Sequence, residues 1–409
     1  MNNFLKEFKN RGFFYQCTNE KELSDLMNNE KIKAYIGFDC TAGSLHVGSL
    51  LQIMCLRLLQ KNGHRPIVLL GGGTTRIGDP SGKDKTRKIL IEEEIEKNIK
   101  NIKNILKKFL DNNDPNTKPF FVNNYNWLKN LNYISFLRDI GKHFTINRML
   151  SFDSVKTRLE REQSLSYMEF NYMILQAYDF LELNKNENCV LQIGGSDQWG
   201  NIVNGVELIK RYSNKQAYGL TTPLITLATG AKMGKSENGA IWLDEKFLSA
   251  YDYWQFWRNT DDRDVIKFLK MFTDLKVNEI EKIKDNDINE LKKLLANKAT
   301  TMLHGETVSQ NSEQAAKEAF SGSSLGSNLP SINIKYQDIN SKINIVDLIL
   351  LSKLESSKSE IRRLIKSNGV KINDKIVSDE KFIISNNLFK ENYLKLSIGK
   401  KRHIKIQLN

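Results

Sequence analysis

Between residues 34 and 225, short apolar runs alternate with stretches of helical periodicity, and this alternation limits the fold more tightly than any other feature. The apolar runs are residues 34–38, 66–70, 120–122 and 190–193; helical patterns at 50–60, 88–108 and 167–183 lie between them. Strands separated by helices predict βαβ units, a parallel sheet and helices on both of its faces. Ligands of such sheets bind beyond the carboxyl ends of the strands, where turns lead into helices. Two Gly-bearing turns, residues 37–49 and 71–83, hold that position. The predicted fold class is α/β, with a Rossmann-like parallel-sheet domain over residues 1–244.

The remainder divides by composition. Residues 1–30 read as an amphipathic helix with charged faces. In 245–320 Lys, Glu, Leu and Ile recur at helical spacing around Trp254, Phe256 and Trp257, which predicts an α-helical domain. The Ser- and Gly-rich run that opens 321–341 reads as a flexible linker. A small α+β module follows over 342–409. In it Ser357 and Glu360 form a capping box before a helix at 361–367, which Asn368-Gly369 ends. Segments 370–372 and 375–377 form a strand pair about Asn373-Asp374, and 393–398 and 403–408 form another about Gly399-Lys400.

The formal net charge is +13, and residues 341–409 alone carry fifteen Lys or Arg against seven Asp or Glu. Such a basic module suits a polyanion, with nucleic acid the first candidate. Lys-rich usage throughout the chain is the plainer account of the same number. The four cysteines, Cys17, Cys40, Cys55 and Cys189, are scattered without a Cys-x-x-Cys pair. That pattern reads against a zinc site or disulfides and for a reducing cytoplasm. The first residues are too polar for a signal peptide, and no apolar run approaches the ~20 residues of a membrane span. A soluble, cytoplasmic protein without a membrane partner is expected.

Several segments carry the chemistry. Residues 35–49 read as a strand, a Gly-bearing turn and the start of an apolar helix. A helix start attracts phosphate, and His46 there can donate to its oxygens; the plain alternative is a capping histidine. The Gly-dense stretch 71–83 offers Asp79 as an anion for an ammonium group and Lys83 as a cation, with Arg87 beyond; a multi-Gly turn is the bland reading. Paired Gly194-Gly195 before Asp197 at a strand end suits ribose recognition, or simply a bulge. Tyr172, Gln176 and Asp179 are spaced i, i+4, i+7, so three polar groups share one helical face. Residues 229–236 miss the P-loop pattern by one position and read as a loop that swings onto phosphates with Lys232, Lys235 and Ser236.

Together these segments resemble bacterial tyrosyl-tRNA synthetases, class I enzymes that join tyrosine to its tRNA. Residues 35–48 are similar to the family's HIGH region, Gly78-Asp79-Pro80-Ser81-Gly82-Lys83 and residues 192–201 match too, and Lys232-Met233-Gly234-Lys235-Ser236 is similar to its KMSKS loop. Residues 130–160, within a segment of about 120–165, resemble its dimer interface, and the last module resembles its small RNA-binding domain. The resemblance implies tyrosine binding by Tyr35, Asp79, Tyr172, Gln176, Asp179, Gln192 and Gln198. It puts Tyr35 and Asp179 at the phenolic hydroxyl, and Tyr172, Gln176 and Asp79 at the ammonium. It implies nucleotide contacts at Gly37, Asp39, Gly48, Ser49, Gly195, Asp197 and Lys235. Thr41, His46, Lys83, Arg87, Lys232, Lys235 and Ser236 would hold the departing pyrophosphate. Arg362, Arg363 and Lys366 would face RNA. ATP is implied as substrate with Mg²⁺ on its phosphates and no dedicated protein metal site. The implied partners are L-tyrosine, ATP, tRNA-Tyr and a second copy of the chain. One departure is Ser49, where the family commonly has His or Asn, a longer donor toward the ribose. Two other classes fit parts of the pattern: a P-loop NTPase through 230–236, and a non-catalytic RNA-binding protein through the basic module. Tryptophan activation is the nearest enzymatic rival; Asp179 with Tyr35 favours a phenol over an indole.

Overall fold

The computed structural model describes residues 1–79, 90–230, 233–236, 239–321, 331–334, 343–389, 393–399 and 402–408. The chain forms two compact units. The first comprises Met1–Gly234, Trp242–Asp244 and Arg263–Asp285; the second comprises Lys235–Ile241, Glu245–Asp262 and Asn286–Asn409.

The first unit is built on a six-stranded sheet. Its strands are β1 (Gln16–Cys17), β2 (Lys33–Asp39), β3 (Arg65–Gly71), β4 (Phe120–Asn123), β5 (Cys189–Gly195) and β6 (Tyr218–Thr222), in the spatial order β1-β6-β5-β2-β3-β4. All neighbours are parallel except the edge pair β1 and β6. From β2 the chain steps outward to β3 and β4, then returns to place β5 and β6 on the other flank of β2. The connections leaving β2 and β5 therefore diverge, which opens a crevice at the carboxyl ends of both strands.

The helix Leu50–Lys61 leaves the turn after β2 and buries nine of its twelve residues. It lacks a polar face because the helices Glu92–Leu110 and Val265–Phe272 both pack on it. The helix Tyr167–Glu187 opens on a capping box of Ser166 and Glu169 and ends at Asn188, in the left-handed conformation. Trp199–Ser213 likewise ends on left-handed Asn214.

The first unit differs from the sequence reading at four places. The N-terminal 30 residues form two helices, Asn3–Asn10 and Glu20–Asn29, separated at Gly12, whose φ is +80°. The helix expected at 88–108 runs Glu92–Leu110, with residues 88 and 89 outside those described. Strand β6, Tyr-Gly-Leu-Thr-Thr, is buried throughout although three of its residues are not apolar. Finally, 263–285 packs in the first unit rather than with the helices of 245–320. Arg11 holds it there by donating to the carbonyls of Lys270 (2.8 Å), Thr273 (3.0 Å) and Leu275 (2.9 Å). Arg57 and Lys61 clamp Asp274, with Arg57 Nε at 2.9 Å from its carboxylate.

In the second unit the helices Ala250–Arg258, Ile288–His304 and Glu306–Ser321 pack together, with Trp254 Nε1–H donating to Asn297 at 2.7 Å. The C-terminal module has a five-stranded sheet in the order Lys375–Ile376, Val370–Ile372, Tyr393–Ile398, Arg402–Leu408, Ser331–Ile334. The last of these falls in the segment read as linker; it adds a parallel edge, Ser331 opposite Lys405. Ile345, Leu348, Ile361, Ile365, Leu394 and Ile406 lie in the module's core. The helix begins earlier than expected, at Lys358, with Ser357 capping the Glu360 N–H at 3.4 Å. Asn368 ends it with φ +57°, and the Asn373-Asp374 turn has φ +47° and +66°. Among the described residues no helix is long and apolar enough to cross a membrane.

Burial raises the Asp274 carboxyl, but hydrogen bonds from Arg57 and Lys61 outweigh it and hold the group down at about 2. A depressed carboxyl stabilises the fold above its unfolded value, near 3.9, and loses that contribution as pH falls toward 2. Asp274→Ala should cost about 1 kcal/mol at neutral pH, discounted for the exposure of the pair. Thermal melts of the two proteins should converge as the pH is lowered from 4 toward 2.

Candidate active site

The crevice at the ends of β2 and β5 is a cleft of about 430 Å³, within the range of small-molecule sites. Strand β2 contributes Tyr35, Gly37 and Asp39 to it, alternate residues on one face of the pleat. Asp39 receives long contacts from Tyr172 Oη (3.4 Å) and Thr74 Oγ1 (3.5 Å). Gly71 must be glycine here: a Cβ would stand 2.9 Å from the Asp39 carboxylate and 2.6 Å from Thr74 Oγ1.

One end of the cleft is dry. Asp179, 2% exposed, accepts from Asn124 Nδ2 at 2.9 Å and from Trp127 Nε1 at 2.7 Å. Burial pushes its carboxyl up to about 7, against the pull of those two donors; the charges of Asp39 and Glu182 raise it further. Asn124 is itself fixed, accepting the Gly73 N–H at 2.7 Å and donating to Thr74. Tyr35, 1% exposed, has its ring 5.2 Å from that of Phe180, and its hydroxyl has no hydrogen-bond partner among the described residues. Burial, then the Asp179 charge, keeps that phenol well above its ordinary range. A buried hydroxyl without a partner beside a carboxylate is costly unless a ligand completes it.

A second cluster is polar. Gln198 Nε2 donates to Asp79 at 2.9 Å, and Asn201 Nδ2 donates to both Gln198 and Gln176 at 3.1 Å. The helix spacing thus delivers Tyr172, Gln176 and Asp179 to one cleft, as their i, i+4, i+7 pattern predicts. Gln192 on β5 is buried and also lines it, with Oε1 lacking a hydrogen-bond partner among the described residues. An anion ringed by amide side chains is chemically suited to an ammonium group.

The opposite end gathers Thr41, His46, Gly48 and Ser49, which precede the helix Leu50–Lys61. His46 Nδ1 accepts the Gly48 N–H at 2.9 Å, which places the ring's proton on Nε2. The backbone of 233–234 runs close by: a Cβ on Gly234 would stand 2.9 Å from that ring. Gly195 and Asp197 line the cleft at the end of β5.

Fifteen of the expected site residues therefore share this cleft. Lys83, Arg87 and Lys232 lie outside the described residues. Lys235 and Ser236 form a two-residue strand paired with Gly239–Ala240, where a P-loop would open a helix. Arg362, Arg363 and Lys366 belong to the second unit and are exposed on the helix Lys358–Lys366. Sequence reasoning passed over Asn124 and Trp127, although an Asn-Asn-x-x-Trp run just past an expected strand was a visible signal. It also passed over Asn201 and Thr74. No group of three metal-ligating side chains occurs among the described residues.

The family model of class I tRNA synthetases (W and Y) matches residues 27–321, and that of the tyrosine–tRNA ligase C-terminal domain matches residues 323–406. The chain is 76% identical over 408 residues to the tyrosine–tRNA ligase of Pelagibacter ubique, covering 100% of both chains. It is 50% identical over 409 residues to that of Rickettsia rickettsii, covering 99% of this chain and 100% of the other. Among solved structures it resembles a C-terminally truncated mitochondrial tyrosyl-tRNA synthetase of Aspergillus nidulans, with TM-score 0.70, 30% identity, and coverage of 77% of this chain and 93% of that one. By sequence over its whole length and by fold, the chain belongs to the class I tRNA synthetases, in the tyrosine–tRNA ligase family.

Proposed function

We infer that the chain activates L-tyrosine with ATP and passes the tyrosyl group to the 3′ end of tRNA-Tyr. The observation that carries this reading is the buried pair of Tyr35 and Asp179, a donor and an acceptor at the dry end of the cleft. A phenolic hydroxyl would complete Tyr35 and add a donor to Asp179, which Asn124 and Trp127 already serve; a phenyl group leaves the buried Tyr35 hydroxyl without a partner, at about 1–3 kcal/mol. Asp79, Gln176, Tyr172, Gln192 and Gln198 would receive the ammonium, leaving the substrate carboxylate toward His46.

The carboxylate oxygen then attacks the α-phosphorus of ATP, forming the mixed anhydride and expelling pyrophosphate. A ribose hydroxyl of the tRNA next attacks the anhydride carbonyl, and AMP leaves. Neither step needs a nucleophile from the enzyme. Its task is positioning and stabilising charge on the leaving pyrophosphate. His46 and Thr41 would do so from the helix end, and Lys83, Arg87, Lys232, Lys235 and Ser236 would supply the cations and hydroxyl. Gly37, Asp39, Gly48, Ser49, Gly195 and Asp197 would surround the nucleoside. Mg²⁺ would be carried on the ATP phosphates and would neutralise part of their charge.

Two further elements of this reading concern partners. Segment 133–159 buries Ile140, Met149 and Val155 in the core while exposing Tyr133, Ile134, Leu137, Ile146, Leu150 and Leu159. An apolar outer face of that kind supports a homodimer joined through it. Arg362, Arg363 and Lys366 on an exposed helix support tRNA contact by the basic module.

Three outcomes are expected. Asp179→Ala should raise the KM for tyrosine about tenfold or more and abolish preference over phenylalanine in ATP–pyrophosphate exchange; normal tyrosine-dependent exchange would refute the pocket assignment. Truncation after residue 330 should spare exchange while weakening tRNA charging at moderate salt. Ile134→Glu should shift the protein toward monomer in analytical ultracentrifugation, and an unchanged dimer would remove that face as the interface.

A further inference from the structure

The chain lines the cleft again at Trp242. Trp242 and His46 face one another as an isolated antiparallel bridge. The bridge continues as two hydrogen bonds, from the Leu243 N–H to the Leu45 carbonyl at 2.8 Å and from the Asp244 N–H to Ser44 Oγ at 3.1 Å. The indole stands edge-on to the imidazole, with centroids 6.3 Å and planes 67° apart. Both rings line the cleft.

The imidazole is thus constrained twice. Gly48 selects its tautomer through Nδ1. Its χ2 torsion, intrinsically broad, has the indole beside it. A donor aimed at developing charge acts only where its geometry is fixed beforehand. We propose that Trp242 is a positioning residue for tyrosine activation, holding the His46 ring so that its Nε2–H points at the oxygens of the leaving pyrophosphate. The inference rests on the role of His46 stated above. An indole that merely walled the nucleotide would act independently of His46, which gives the test.

The full-length chain is assayed by ATP–pyrophosphate exchange as Trp242→Ala, Trp242→Phe, His46→Ala and the Trp242→Ala/His46→Ala pair. Trp242→Ala should lower kcat by roughly tenfold to a hundredfold, the scale of a displaced catalytic group, with KM for tyrosine nearly unchanged. Trp242→Phe, which restores an aromatic edge, should recover most of the loss. In the His46→Ala background Trp242→Ala should cost about twofold at most, because its effect passes through a ring already absent. An equal loss in both backgrounds, or full activity of Trp242→Ala, overturns the proposal. Unimpaired exchange by His46→Ala alone instead overturns the assigned role of His46, and the proposal with it. Trp242→Leu, which keeps apolar bulk without the aromatic edge, is held to the same comparison if Trp242→Ala does not fold.

Discussion

Everything in the first unit is arranged around the double pairing of β2. Its edges are occupied by β3 and β5, both parallel, with Tyr35 opposite Ile67 on one side and Gln192 on the other. A strand so enclosed has to be covered on both faces, which draws the helix Leu50–Lys61 under the sheet. It also fixes where the chain diverges. The last residues of β2 and β5 have no strand crossing beyond them, so Gly37, Asp39 and Gly195 open into the cleft. A one-residue slip of β2 would turn Tyr35 and Asp39 to the opposite face and erase the site.

The cleft is electrostatically uneven, and that unevenness is useful. At its dry end the low local dielectric raises the Asp179 carboxyl and makes an unfilled Tyr35 hydroxyl expensive. At the other end the groups are polar and partly open, which would suit the triphosphate and departing pyrophosphate of the proposed reaction. On the proposed reading, selectivity and charge stabilisation would be separated along one cleft, each in the medium that strengthens it.

What the sequence disclosed follows the same physics. Strands buried on both faces announce themselves as apolar runs, so β2, β3 and β5 were legible; β4, a half-buried edge strand, showed through its run Phe120-Phe121-Val122. The face shared by Tyr172, Gln176 and Asp179 was legible because a helix with apolar neighbours all round seldom carries three polar residues in one stripe unless they line a site. Strand β6 was hidden because its threonines are satisfied across the fold: Gln52 donates to Thr222 at 2.8 Å, and Thr221 donates to the Gln16 carbonyl at 3.3 Å. Segment 263–285 was misplaced for a related reason. Arg11 grips its main-chain carbonyls, which every sequence possesses, and the clamp of Arg57 and Lys61 on Asp274 joins residues more than 200 positions apart, which no local pattern reveals. Ser331–Ile334 is a four-residue edge strand with two polar members, too short to stand out from a linker. Asn124 and Trp127 were marked only by their Asn-Asn-x-x-Trp run; their contact with Asp179 joins two elements, which spacing within one cannot show.

The asparagines at the ends of elements have a thermodynamic meaning. Asn188, Asn214, Asn368 and Asn373 all adopt positive φ, three closing helices and one turning a hairpin. Glycine reaches that conformation without strain, but its unfolded chain is freer and loses more entropy on folding. Asparagine tolerates the left-handed region with a smaller penalty than other side chains while keeping the denatured chain more restricted. Part of the asparagine richness of this protein is therefore a way of making sharp reversals in which the disordered state, rather than the ordered one, is penalised.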